Sequence, residues 1–236
     1  MAGARSSLLL SLLLLIAAVG HGQTAPPAAE AALGNQLRLS GPVMQQDLSG
    51  NELQRWTNDA GHRLEIKLTD AAGDSHIVSR GSAESGQLNI QVPAPATEVL
   101  LPVGDYATEI RAMFSESFFG SIPLTPVVSN NSALIQRFAR LEVRSAEDRS
   151  AGFVQRWREG ASSTMRLSWL YADRDVTISG RGEAPGVSGE VELRLKRGWN
   201  AVLMTLIYER GRDGRFLLRT SAQPSEMRWI YWELGG

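Results

Sequence analysis

Two carboxylates lie two residues apart in "YADRDVTISG" (residues 171–180), where Asp173 and Asp175 flank Arg174. On an extended chain that spacing puts both side chains on one face. Such a pair can share a hard cation, and Glu183 stands close enough in sequence to join it. A cation held there would activate water, the chemistry of a metal-dependent hydrolase. The surroundings favour a plainer role. Hard cations take about six or more oxygens, and few other acids are near, whereas Arg174 and Arg181 offer ion pairs. Aspartate also favours the turns that lead into strands. Asp173 and Asp175 are therefore read as the polar start of a strand, with a metal site as the less favoured alternative.

Other chemistry is thinly represented. The chain has no cysteine, which excludes disulfides, a thiol nucleophile, iron–sulfur ligation and cysteine zinc sites. Apart from His21 near the N-terminus, the histidines are His62 and His76. Asp74, Ser75 and His76 are consecutive, so on a strand they point to alternating faces and make no triad. "GVSGE" (186–190) brings its second glycine one place too early for a nucleophile elbow. "GRGEAPG" (180–186) has neither the spacing nor the following helix of a dinucleotide loop, and is read as a loop between strands. No catalytic residue and no cofactor is assigned.

Aromatic residues are the remaining signal. Five of the six tryptophans (Trp157, Trp169, Trp199, Trp229, Trp232) fall in the last 100 residues, with Tyr171, Tyr208 and Tyr231. Alternation in "MRWIYWEL" (227–234) separates Met227, Trp229 and Tyr231 from Arg228, Ile230 and Trp232. One set belongs to a core and the other is free to meet a ligand, as exposed aromatics do at binding surfaces. Trp199, Tyr208, Ile230 and Trp232 make up the candidate ligand-binding set.

The elements that must position these residues read as follows. Arg5 and the apolar run 8–19 resemble the n- and h-regions of a signal peptide. Twelve apolar residues fall short of the about 20 a membrane-spanning helix needs. Residues 1–22 are thus expected to be a cleaved signal, with an uncleaved anchor as the alternative. Residues 23–35, rich in proline and alanine, form a flexible tether. Residues 36–102 hold short strands such as "RLEIKL" (63–68) and "QLNIQV" (87–92), whose period-two alternation marks antiparallel sheet. Residues 103–136 contain a helix over 104–119, with Asp105 as N-cap and Tyr106, Ile110, Met113 and Phe114 on one face, and then an extended linker. Residues 137–236 give strands at 138–144, 164–171, 175–179, 190–196, 200–209, 215–221 and 227–233. The predicted fold class is mainly β: two antiparallel β-sandwich-like modules joined by a short helix and linker.

Charge agrees with two modules. The formal net charge is −1, but residues 23–136 carry 6 basic and 12 acidic side chains and residues 137–236 carry 17 and 13. Arginine far exceeds lysine, with only Lys67 and Lys196 present. That reads as the codon bias of a GC-rich bacterial genome, and no nucleic-acid partner is expected.

The strings "YADRDVTISG", "VELRLKRGWN" and "EMRWIYWE" resemble a set of exported proteins of deinococcal bacteria in their order and in the closing aromatic strand. The likeness covers roughly the last seventy residues well and the first half in outline. It implies an exported, β-rich bacterial protein and carries over no functional residue. The expectation is an exported, noncatalytic protein of the cell envelope or secretome, with envelope polysaccharide or another envelope protein as partner. A carbohydrate- or small-ligand-binding module using the C-terminal aromatics is the alternative, and a metal-dependent hydrolase the third reading.

Overall fold

The computed structural model describes residues 32–46, 52–57, 61–117, 120–208 and 213–234. The expected signal, residues 1–22, and most of the tether lie outside the described residues. The tether's last residues instead form a strand, β1 (Ala32–Gly34). In chain order there follow β2 (Leu37–Gln46), β3 (Leu53–Arg55), β4 (Arg63–Thr69), β5 (Ser75–Glu84), β6 (Gln87–Val92) and β7 (Leu101–Pro102). Helix α1 (Val103–Ser115) comes next, then β8 (Val127–Val128), β9 (Leu134–Phe138), β10 (Arg140–Arg144), β11 (Ser150–Glu159) and β12 (Ser163–Ala172). The chain closes with β13 (Val176–Ala184), β14 (Val187–Leu195), β15 (Gly198–Ile207), β16 (Gly214–Thr220) and β17 (Arg228–Glu233). The protein is mainly β.

Seven strands close into a barrel, in the order β10–β4–β5–β6–β2–β17–β11 and back to β10. Every pairing in this ring is antiparallel except β17 with β2, where Trp229 lies beside Val43 and Tyr231 beside Gln45. Alternation decides what faces inward. In β4, Leu64, Ile66 and Leu68 are buried in the core while Lys67 points out. Leu37, Leu39, Val43, Leu88, Ile90, Val143, Val154 and Trp229 fill the rest of the interior. A ring this small has room only for its own side chains.

β8–β13–β14–β16–β15–β12 form an outer sheet, extended by β9 and β7 beyond β12, while β1 pairs with β15 and β3 with the barrel strand β2. One face of β12 gives Leu167, Trp169 and Tyr171 to the barrel's core. The other gives Leu170 and Ala172 to a second core, roofed by Tyr106, Ile110 and Phe114 of α1. The outer sheet is therefore a middle layer between barrel and helix. An aromatic spine crosses the first boundary. Trp229 stacks on Trp169 at 5.3 Å, Trp169 on Phe138 at 5.1 Å, and Phe138 meets Trp199 edge-on at 5.4 Å.

Several expectations are corrected. The barrel draws on both predicted modules: three of its strands, β10, β11 and β17, come from residues 137–236. Two pairings, β2 with β17 and β14 with β16, are parallel. Pro102 occupies the N-cap position of α1, and Asp105 lies in its first turn, where its charge suits the helix dipole. Residues 180–184 continue β13 rather than looping, because Gly180 and Gly182 let the chain at Pro123 pass against the strand. β11 is a strand that the sequence reading did not predict.

Candidate functional site

The hairpin β11–β12 makes the site possible by splitting. Its strands pair only near the tip, Trp157 with Arg166 and Glu159 with Thr164. They then diverge, β11 into the barrel and β12 into the outer sheet. The continuous run β9–β10 enters the fork, Phe138 pairing with Trp169 on β12 and Arg140 with Gln155 on β11. Over this fork lies an open cleft of about 620 Å³.

The cleft is lined by ring faces and cations. β11 supplies Phe153 and Trp157, and β17 supplies Trp232, which pairs directly across from Phe153. The Phe153 and Trp232 rings lie near parallel with centroids 6.4 Å apart, and Trp157 meets Trp232 edge-on at 5.8 Å. All three are half-buried, with surface left for contact. Lys67, Arg137, Arg140 and Arg166 stand around them, and the one acid in the lining is Glu142.

The cations are not equivalent. Lys67 Nζ donates to Glu142 Oε2 at 2.5 Å, and Arg137 donates to Glu109 Oε2 at 2.7 Å, so both are neutralised locally. The Arg140 guanidinium lies 5.2 Å from the Phe153 centroid, and that of Arg166 only 4.3 Å from the Trp157 centroid. Neither has a carboxylate partner among the described residues. Desolvation pulls the Arg166 guanidinium below the usual arginine value, although it stays charged at neutral pH. Alongside the cleft, buried Glu65 gathers Arg80 at 3.3 Å, Arg144 at 3.5 Å and Lys67 at 3.9 Å. These contacts settle the charge of the neighbouring barrel wall and leave Arg140 and Arg166 outside the network.

A second cleft, about 470 Å³, lies beyond the Trp157–Trp232 ridge. Leu53, Arg158, Glu159, Glu226, Arg228 and Ile230 line it. The two tryptophans border both clefts, so a ligand longer than one ring can cross from one to the other.

The sequence-predicted ligand-binding residues are scattered. Trp232 is in the cleft wall, and Ile230 is buried beneath the second cleft. Trp199 is fully buried, its Nε1 donating to the Pro93 carbonyl at 3.1 Å, and so is a core residue. Tyr208 shares a 3.1 Å hydrogen bond with Thr164 Oγ1 and takes no part in the cleft lining. Phe153, Trp157, Arg140 and Arg166 were not in the predicted set. The available signal was the clustering of aromatic and arginine residues in "FVQRWRE" (153–159), which no strand pattern framed.

Asp173 and Asp175 are both engaged by protein groups. Asp173 Oδ1 accepts the Leu134 N–H at 2.8 Å and Oδ2 accepts Arg174 at 2.7 Å. Asp175 Oδ1 accepts the Arg197 N–H at 3.0 Å and Oδ2 the Lys196 ammonium at 2.7 Å. Partial burial works to raise the Asp173 carboxyl, but the Arg174 and Leu134 hydrogen bonds outweigh it and hold the group below the usual range. The Lys196 hydrogen bond, with help from the Arg197 N–H, does the same for Asp175. The two carboxylates each serve a separate pair rather than facing a shared centre. Among the described residues no cluster of three or more His, Cys, Asp or Glu side chains is placed to hold a metal ion.

His76 sits at the β4–β5 turn, where its Nε2 is 2.7 Å from Asp70 Oδ2. His62 packs its ring 5.7 Å from that of Trp56. Neither histidine lines the clefts. No protein-family model, no curated protein and no solved structure matches the chain.

Proposed function

We propose that this chain is an exported, noncatalytic β-protein of the bacterial envelope or secretome that binds a ligand in the clefts on its barrel wall. The observation that carries the binding role is the pairing of three half-exposed aromatic rings with cations in an open cleft of about 620 Å³, a volume within the about 300–1,000 Å³ usual for ligand pockets. Its lining offers contact surface and charge, and its one carboxylate is bound to Lys67. Export is supported by Arg5 with the apolar run 8–19 and by the resemblance of the C-terminal strings to deinococcal exported proteins.

A carbohydrate is the favoured ligand class on a specific ground. The half-buried Phe153, Trp157 and Trp232 rings, gathered on one cleft wall, leave aromatic surface of the kind that apolar faces of sugars lie against. Trp157 and Trp232 are built-in reporters, so titration of intrinsic fluorescence with a panel of oligosaccharides and small ligands tests the site. Quenching that disappears in Trp232→Ala is expected. A panel that leaves the wild-type emission unchanged would remove the binding role. N-terminal sequencing of the protein recovered outside the cytoplasm should start after residue 22, and a retained Met1 counts against cleavage.

A further inference from the structure

We infer that the barrel-wall cleft takes an acidic sugar, a glycan residue bearing a carboxylate or a phosphate, with Arg140 and Arg166 holding the anion. This rests on the reading of the cleft as the ligand site and adds the charge of what enters it. The charge inventory carries the argument. Of the four cations around the cleft, Lys67 and Arg137 are neutralised by Glu142 and Glu109. Arg140 and Arg166 are instead laid over Phe153 and Trp157. A guanidinium carries five N–H donors, and neither Arg140 nor Arg166 has a carboxylate to receive them among the described residues. Such a fork of donors can grip a carboxylate or phosphate with two parallel hydrogen bonds. Arg166 has also lost part of its hydration with no anion in return, and a bound anion restores what desolvation removed.

The rest of the ligand follows from the walls. The exposed parts of Phe153, Trp157 and Trp232 put apolar surface close to the two guanidiniums, which suits a ring with one charged substituent. The shared tryptophan ridge between the clefts suits a chain in which neutral rings continue from the charged one into the second cleft. A nucleic acid fits less well, because Glu159 and Glu226 line the second cleft, where a continuous phosphate backbone would meet them. A lipid also fits poorly, since the barrel interior is filled by its own side chains and the cleft is open.

Calorimetric titration of the full chain with three oligosaccharides of equal length decides the matter: one ending in a single hexuronic acid, one bearing a single phosphate, and one neutral. At least one acidic ligand should bind about tenfold or more tightly than the neutral one, equivalent to about 1.4 kcal/mol, and should weaken with added salt. The double variant Arg140→Gln/Arg166→Gln should lose that preference while keeping the wild-type melting temperature. The carboxylate and phosphate arms identify the anion. Equal affinity for the neutral ligand overturns the acidic assignment, and if that binding also vanishes in Trp232→Ala the cleft still stands as the ligand site. Absence of binding by all three overturns the assignment, and a silent fluorescence panel as well would remove the site itself. Should the double variant fail to fold, the acidic-to-neutral ratio of the wild type and its salt dependence still decide.

Discussion

A carboxylate's partner decides its role more than its position in a motif does. Asp175 was one half of an apparent metal pair, yet it spends one oxygen on Lys196 and the other on the Arg197 N–H. These contacts tie the start of β13 to the β14–β15 connection. They also hold the folded-state carboxyl below the ordinary aspartate value of about 3.9. A group depressed in this way stabilises the fold above its unfolded value and loses that contribution as pH falls through the folded one. Asp175→Asn should therefore lower the melting temperature at pH 7, and the gap from wild type should shrink as the pH is taken from about 5 to below 3. An undiminished gap at acid pH would show that the side chain acts by shape and not by charge. The polar character of this turn was legible because its residue types are polar at the end of an alternating run. The partners were not, since Lys196 is 21 residues away and only the pairing of β13 with β14 brings it across.

At the scale of elements, legibility followed the contrast between faces. β6 and β14 alternate cleanly because one face is buried and the other wet, and β4 alternates in residue type, although its outward Glu65 is buried among cations; all three could be read directly. β11 could not. Its inward side carries Gly152, Val154 and Arg156, and its outward side carries Phe153, Gln155 and Trp157, so neither face is uniformly apolar or polar. The same mixing that hid the strand put aromatic side chains on its outer surface, where the cleft needs them. The helix shows the opposite case. Val103, Tyr106, Ile110 and Phe114 mark one stripe that was evident from spacing alone. How closely it docks was not, because the fit depends on a glycine in a distant strand. A Cβ added at Gly189 would stand 2.5 Å from the Phe114 ring, and that ring is stacked at 4.2 Å on Phe216 with little room to retreat. Gly189→Ala should cost about 1–3 kcal/mol, the range for overpacking. Chemical denaturation measures this, and adding Phe114→Leu should recover part of the loss. An unchanged midpoint in Gly189→Ala would mean that α1 can shift off the sheet at little cost.

At the scale of the whole molecule, the strand pairings run across the predicted boundary between an N-terminal and a C-terminal module. Composition, charge and the helix at 103–115 all suggested that division, and each is a local property. Barrel closure is not local: β2 needs β17 and β4 needs β10, partners that lie far along the chain. Pairings of that range leave no trace in spacing or composition, which is why class was legible and architecture was not. They also fix how the protein should unfold. The barrel, the aromatic spine and one face of the outer sheet share a single buried cluster, which includes Leu64 from the first half and Trp169 and Trp229 from the second. Breaking either half exposes the other's core. A fragment of residues 23–136 should therefore show no cooperative melting, because β2 and β4 would each present an unpaired edge and an open apolar face to water. In the intact chain, far-ultraviolet dichroism and tryptophan fluorescence should report coincident transitions, as two-state unfolding requires. A fragment that melts sharply by itself, or two separated transitions in the whole chain, would restore the two-module picture. The cleft gives this a functional edge. Its walls come from β4, β9, β10, β11, β12 and β17, so no piece of the chain that lacks either half can form it, and ligand binding should be lost in the same step as barrel closure.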